Sequence, residues 1–122
     1  APSTDLFAQL TKEQIERMIK EAQEFAEQDR RRKELIEARN EAESLIYSVE
    51  KALREYGDRI PSDVKERVGK AVEALREVMK GEDTGKIKEK MEELKRVSQE
   101  IGRLLYASYQ QGTSGPERKE GS

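Results

Sequence analysis

Cysteine, histidine and tryptophan are all missing from this chain of 122 residues. The absence of cysteine excludes disulfides, which fits a reducing compartment. Because histidine is missing as well, the usual zinc ligands and the imidazole base of acid–base catalysis are unavailable. Aromatic residues make up 5% of the chain, so any hydrophobic core must be thin and aliphatic. We therefore expect no catalytic residues, no cofactor-binding residues and no metal ligands.

An excess of one charge is also missing, although 41% of the residues are charged. The 24 basic and 26 acidic residues nearly cancel, which argues against nucleic acid or an anionic membrane as a partner. No apolar run approaches the roughly 18 residues of a membrane span, and no glycine-rich loop has a phosphate-binding pattern. The carboxylates alternate with lysine and arginine at helical spacing, which is typical of solvated helix faces. A carboxylate-rich enzyme would therefore lack a recognisable site.

Long helices are what the composition favours instead, because about half of the residues are Ala, Glu, Lys, Leu or Arg. The longest helical signal extends from Thr11 to Tyr56 and begins at a capping box formed by Thr11 and Gln14. An apolar face follows at helical spacing, made of Ile15, Met18, Ile19, Ala22, Phe25 and Ala26. Residues 27–34, EQDRRRKE, contain no apolar side chain. The apolar rhythm then returns as a heptad-like seam at Leu35, Ala38, Ala42, Leu45, Val49, Ala52 and Tyr56.

Two further helices are predicted after this one. Gly57 is expected to end the first helix in the left-handed conformation, and Pro61 suits the first turn of the second. The third helix is expected to begin near Asp83 or Thr84 and to end near Gly112. The predicted buried positions are Val64, Val68, Ala71, Val72, Leu75, Val78 and Met79 in the second helix, and Ile87, Met91, Leu94, Val97, Ile101, Leu104 and Leu105 in the third.

These patterns predict an all-α fold in which a long N-terminal lever helix leads into an antiparallel three-helix bundle, because short links join antiparallel neighbours. The sequence leaves open whether the lever helix is straight or broken near residues 27–34. We assign residues 1–10 to an irregular leader and residues 11–34 to the lever or hinge helix. Residues 35–111 are assigned to the bundle, and residues 112–122 to a disordered tail rich in Gly, Ser and charge.

Several segments of the chain follow one another in a distinctive order. They include IERM at 15–18, AEQDRRRKE at 26–34 and RNEAESLIY at 39–47, and later GDRIP, LREVMKGED and QEIGRLLY. In this order and spacing they resemble the helical lid of the seventy-kilodalton heat-shock chaperone family of the DnaK type, in its bacterial and organellar branch. The resemblance covers about residues 10–109, most of the chain.

The resemblance carries expectations about function. In that family an ATPase domain drives a β-sandwich that holds an unfolded polypeptide, and the lid closes over it. The resemblance implies that this chain is the lid alone and is not an enzyme. ATP would be used by domains outside it. A J-domain co-chaperone and a nucleotide exchange factor would act through the parent protein. The implied location is the bacterial cytoplasm or an organellar matrix.

The resemblance also implies roles for individual residues of the lever helix. Asp29 matches a hinge contact between lid and sandwich, and Glu43 matches a latch position where aspartate is common. These two residues share one face of the helix, and Tyr47 borders that face. Without the resemblance, both carboxylates would be interpreted as solvated charges. The early apolar face, made of Ile15, Met18, Ile19, Ala22 and Phe25, is the implied docking surface for the sandwich. In the absence of the sandwich, we expect this face to promote homo-oligomers.

A different class of function remains open at this point. A generic three-helix bundle, natural or designed, that binds a partner helix would show the same capping signals and apolar seams. It would not account for the polar stretch at residues 27–34 or for the ordered matches to the chaperone lid.

Overall fold

The computed structural model describes the backbone of residues 10–113 and the side-chain environments of residues 10–107. Within this range the chain is all-helical, with α1 at Lys12–Tyr56, α2 at Ser62–Met79 and α3 at Thr84–Thr113. A single 3-10 turn, Gly57–Arg59, follows α1. The predicted all-α fold with a long first helix and a three-helix bundle is confirmed. Residues 1–9 of the predicted leader (residues 1–10) and residues 114–122 of the predicted tail lie outside the described residues.

Helix α1 is continuous through residues 27–34, which settles the question that the sequence left open. Its first turn has the predicted capping box. The Thr11 amide donates to Gln14 Oε1 at 2.8 Å, and the Gln14 amide donates to Thr11 Oγ1 at 3.0 Å. These two bonds satisfy amide groups that a helix start otherwise leaves free. The chain divides into two compact units at Glu34 and Leu35, and α1 contributes to both.

The helix boundaries correct two details of the sequence prediction. Gly57 does not adopt the left-handed conformation, since no described glycine has a positive φ. It opens the 3-10 turn instead, and its carbonyl accepts a bond from the Ile60 amide at 3.3 Å. Helix α3 extends through Gly112 to Thr113, so these two residues are helical and do not begin the tail. Asp83 is the residue that caps α3, because its Oδ1 accepts a bond from the Lys86 amide.

The bundle is antiparallel, as three long-range contacts show. Arg39 of α1 contacts Met79, the last residue of α2, whereas Glu50, further along α1, contacts Arg76, which lies earlier in α2, so the two helices run in opposite directions. Helix α3 in turn runs back along α2, where Arg67 binds Glu100. Each helix contributes one aliphatic stripe to a shared core. Its members are Ala38, Ala42, Ile46 and Val49 from α1, Val64, Val68, Val72 and Leu75 from α2, Ile87, Met91, Leu94 and Ile101 from α3, and Ile60 from the turn.

The buried stripe of α1 differs from the heptad-like seam predicted from the sequence. Ile46 is buried with 3% of its surface exposed, whereas the predicted Leu45 is only half-buried and Tyr56 is exposed. An α-helix with 3.6 residues per turn drifts by about 20° per heptad against a strict 3.5-residue repeat. The buried face therefore moves from Ala42 to Ile46 and then to Val49. Ile60, also buried, lies outside any helix and gave no periodic signal.

The first prediction concerns this core. Leu75 and Leu94 are both 0% exposed, so Leu75→Ala or Leu94→Ala should lower the free energy of unfolding by about 2–5 kcal/mol, through lost apolar burial and a residual cavity. Urea unfolding followed by circular dichroism measures the loss. Ile36→Ala is the control, since Ile36 is half exposed and its truncation should have little effect. Equal midpoints for the core variants and the control would reject this core.

The second prediction concerns acid sensitivity. The Arg67 guanidinium donates to both carboxylate oxygens of Glu100, at 2.6 and 3.1 Å, and this hydrogen bonding lowers the pKa of Glu100 below its usual value of 4.5. A carboxyl whose pKa is lowered by folding stabilises the fold above its unfolded pKa, and this contribution is lost as pH falls through the folded pKa. Glu100→Gln should therefore lose less stability than the parent between about pH 7 and about pH 3.

Unfolding midpoints at the two pH values test this expectation. Glu89→Gln is the matched control, because Glu89 is exposed on the same helix and forms no ion pair with another described residue. The control should keep the acid sensitivity of the parent. If Glu100→Gln is as sensitive to acid as the parent, Arg67 does not lower the pKa of Glu100 in the folded protein.

Candidate functional site

The first four turns of α1 carry an exposed apolar surface. Leu10, Ile15, Met18, Ile19 and Ala22 line it together. No residue between Thr11 and Lys33 is buried, and Phe25 is 70% exposed. A contiguous apolar surface of this kind is typical of an interaction site. We call it the N-terminal apolar face, defined as Ile15, Met18, Ile19, Ala22 and Phe25.

Asp29 lies one turn beyond this face, in the charged stretch of α1. Its carboxylate pairs with Lys33 Nζ at 3.2 Å and with Arg32 Nη1 at 3.8 Å. Both partners are on the same helix, three and four residues on, and all three side chains are substantially exposed. Exposed pairs of this type contribute little to stability, about 0.3–0.5 kcal/mol each. The carboxylate of Asp29 can therefore exchange these partners for another cation at small cost.

Glu43 and Tyr47 line an open groove in the second unit, one helical turn apart on α1. The groove has a volume of about 510 Å³ and lies between α1 and α2. Ile46 and Met79 supply apolar surface, while Lys80 lies on the α2 side. Tyr47 is 63% exposed, and Glu43 forms no ion pair with another described residue. The ion pair of Arg76 with Glu50, at 2.8 Å, belongs to the same lining.

Arg39 fixes the α2 side of this groove. Its Nε donates to the carbonyl oxygen of Met79 at 3.1 Å, and its Nη2 donates to that of Gly81 at 2.6 Å. These carbonyls lie at the C-terminal end of α2, where helical partners run out and a cation is favoured. Because Met79 and Lys80 line the groove, the guanidinium of Arg39 holds them opposite Glu43 and Tyr47.

The structure thus brings some of the predicted site residues together and leaves others separate. Glu43 and Tyr47 share the groove, and four members of the N-terminal apolar face share one surface with Leu10. Asp29 lines neither of them. Arg39, Arg76 and Lys80 were not predicted from the sequence. A charge at Arg39, directly after the buried Ala38, is the one sequence signal that could have indicated a long-range partner.

Metal binding finds no support in the described part of the chain. No group of three or more Asp or Glu side chains there is placed to hold a metal ion. The helices between residues 10 and 113 also include none with the length and apolar character needed to cross a membrane. The described residues include an apolar surface and a mixed groove, both suited to protein contacts.

Comparison with known proteins places the chain in a family. The family model described as Hsp70 protein matches residues 4–107, which is most of the chain. The chain therefore belongs to the Hsp70 family, which confirms the family inferred from the sequence.

Three relatives, each named Chaperone protein DnaK, share this similarity. That of Methanothermobacter thermautotrophicus is 50% identical over 93 residues, which cover 76% of this chain and 16% of the relative. That of Thermosipho africanus is 42% identical over 104 residues, which cover 85% of this chain and 17% of the relative. That of Elusimicrobium minutum is 35% identical over 111 residues, which cover 88% of this chain and 18% of the relative. The chain thus spans less than a fifth of the length of these relatives.

Proposed function

We propose that this chain serves as the helical lid of a molecular chaperone and closes over an unfolded polypeptide held by a β-sandwich. The observation that carries the proposal is the N-terminal apolar face, which lies fully on the surface of the first unit. Apolar surface of this extent costs free energy in water and favours a covering partner. Membership of the Hsp70 family supports the β-sandwich as that partner.

The proposed contacts beyond the docking face are Asp29, Glu43 and Tyr47. Glu43 offers an exposed carboxylate without an ion-pair partner among the described residues, and the phenol of Tyr47 lies beside it in the groove. A cation on the sandwich would gain both a carboxylate and an aromatic face at this position. Asp29 would act as a hinge contact by releasing Arg32 and Lys33 in favour of a sandwich residue.

The proposal extends to the reaction cycle of the parent protein. The chain itself would bind no ATP and catalyse no reaction, while ATP hydrolysis in another domain would drive opening and closing. A J-domain co-chaperone and a nucleotide exchange factor would act through the parent protein. The bacterial cytoplasm or an organellar matrix is the proposed location.

The third prediction tests the lid function directly. The full chain is joined to the β-sandwich of a DnaK-type chaperone in place of that protein's own helical segment. Release of a fluorescent apolar peptide should become slower than from the sandwich alone, by roughly ten-fold, which corresponds to about 1.4 kcal/mol. Fluorescence anisotropy after addition of unlabelled peptide gives the rate.

Variants separate the latch from a general effect of the attached chain. Asp29→Asn combined with Glu43→Gln should restore much of the fast release, since it removes both proposed ionic contacts. Glu41→Gln is the control, because Glu41 is an exposed carboxylate of α1 that lines neither surface. Release that the attached chain does not slow would refute the lid function, whereas equal slowing by the parent and the double variant would refute the latch alone.

The fourth prediction concerns self-association when the sandwich is absent. We expect sedimentation velocity at high concentration to show oligomers that depend on the N-terminal apolar face. Ile19→Glu should abolish them, because it places a charge in the middle of that face. Ile36→Glu, a comparable change on another exposed part of α1, should leave them intact. A monomeric parent chain, or equal effects of the two variants, would contradict this role.

A further inference from the structure

Residues 27–34 form a charged stretch of α1 whose helical structure the packing of the bundle core does not explain. Its eight residues include no apolar side chain, and none of them is buried. The nearest apolar residue before it, Ala26, is also exposed, and the stretch ends where Leu35 begins the second unit. A helix that buries no face is marginal in water, yet α1 is continuous here. We call residues 27–34 the charged spacer.

Ion pairs within the helix cover every turn of the charged spacer. Arg30 pairs with Glu27 on one side and with Glu34 on the other. Arg31 Nε donates to Glu27 Oε1 at 3.2 Å, so two arginines share one carboxylate. Asp29 binds Lys33 and Arg32 in the same manner, as described above.

The spacing and direction of these pairs are those that stabilise helices. All five join residues three or four apart, which are neighbours on the helix surface. In four of them the acidic residue precedes the basic one, which is the more favourable orientation along the helix dipole. Hydrogen bonding from Arg30 also lowers the pKa of Glu27, as expected for a pair that persists in the folded helix.

We propose that the charged spacer is held helical by its own ion pairs and not by packing, so that the continuity of α1 weakens as ionic strength rises. Charges on exposed side chains are screened by salt, whereas an aliphatic core is not weakened in this way. The first unit therefore ends in a segment whose order responds to ionic conditions while the bundle stays folded. This inference is independent of the proposed lid function.

Arg30→Gln tests the proposal, because it removes the pairs with Glu27 and Glu34 while glutamine keeps a similar helix propensity. Amides of residues 31–38 bond to the carbonyls of residues 27–34, so their hydrogen exchange reports on the spacer. Exchange measured by NMR should become roughly two- to five-fold faster than in the parent. Arg17→Gln is the control, since Arg17 is exposed on the same helix and pairs with no other described residue.

The salt dependence of the exchange rate is a second readout. A role of Arg30 that did not depend on its charge would leave the exchange rate insensitive to salt. At about 1 M salt, where the screening length is about 3 Å, the parent should exchange as fast as Arg30→Gln, and the difference between them should vanish. Amides of the bundle core serve as an internal reference and should not change. Equal exchange in parent and Arg30→Gln at low salt, the same increase in Arg17→Gln, or insensitivity of the parent to salt would each overturn the proposal.

Discussion

Shared burial of three aliphatic stripes is the interaction on which the fold depends. None of the described aromatic side chains is buried, so the core consists of Ala, Val, Leu, Ile and Met. Such side chains gain roughly 25 cal/mol for each Å² of apolar surface removed from water, and a single stripe cannot bury itself. Each helix of the bundle therefore requires the other two. Arg39 and Arg67 add polar links at positions that the core fixes.

The two units of the chain are consequently stabilised by different means. In the bundle, packing fixes the helices, and no buried side-chain nitrogen or oxygen among the described residues lacks a hydrogen-bond partner. In the first unit no residue between Thr11 and Lys33 is buried. There the helix depends on its capping box and on ion pairs between neighbouring turns. The bundle therefore buries its apolar side chains, whereas the first unit leaves the N-terminal apolar face on its surface.

Much of the fold could be predicted from the sequence, because helix signals are local. The capping box at Thr11 and Gln14 follows from residue type and spacing, and the structure has it. For α3 the sequence offered Asp83 or Thr84 as the start, and in the structure Asp83 is the cap. Periodicity also indicated most of the buried positions. It missed Ile46 because a seam drawn at 3.5 residues per turn passes through Leu45, and only the position of α2 and α3 decides between them. The prediction of a left-handed Gly57 was wrong because a 3-10 turn follows the end of α1.

The candidate site was predictable to a smaller extent. The N-terminal apolar face is a local pattern, and its exposure agrees with the sequence. The groove beside Glu43 and Tyr47 needs α2 for its second wall, and the bonds of Arg39 span about forty residues, so neither is visible in local spacing. The roles of Asp29, Glu43 and Tyr47 stay predictions, since they depend on a partner surface.

Hydrogen exchange of the chain alone and of the chain joined to a β-sandwich would test the central claim most directly. If the first unit is a docking helix and the bundle is independently folded, amides of residues 15–26 should exchange rapidly in the free chain. They should become protected on joining, while those of the core helices between residues 42 and 101 should stay the same. Equal protection of both units in the free chain, or no gain at residues 15–26 on joining, would contradict the account.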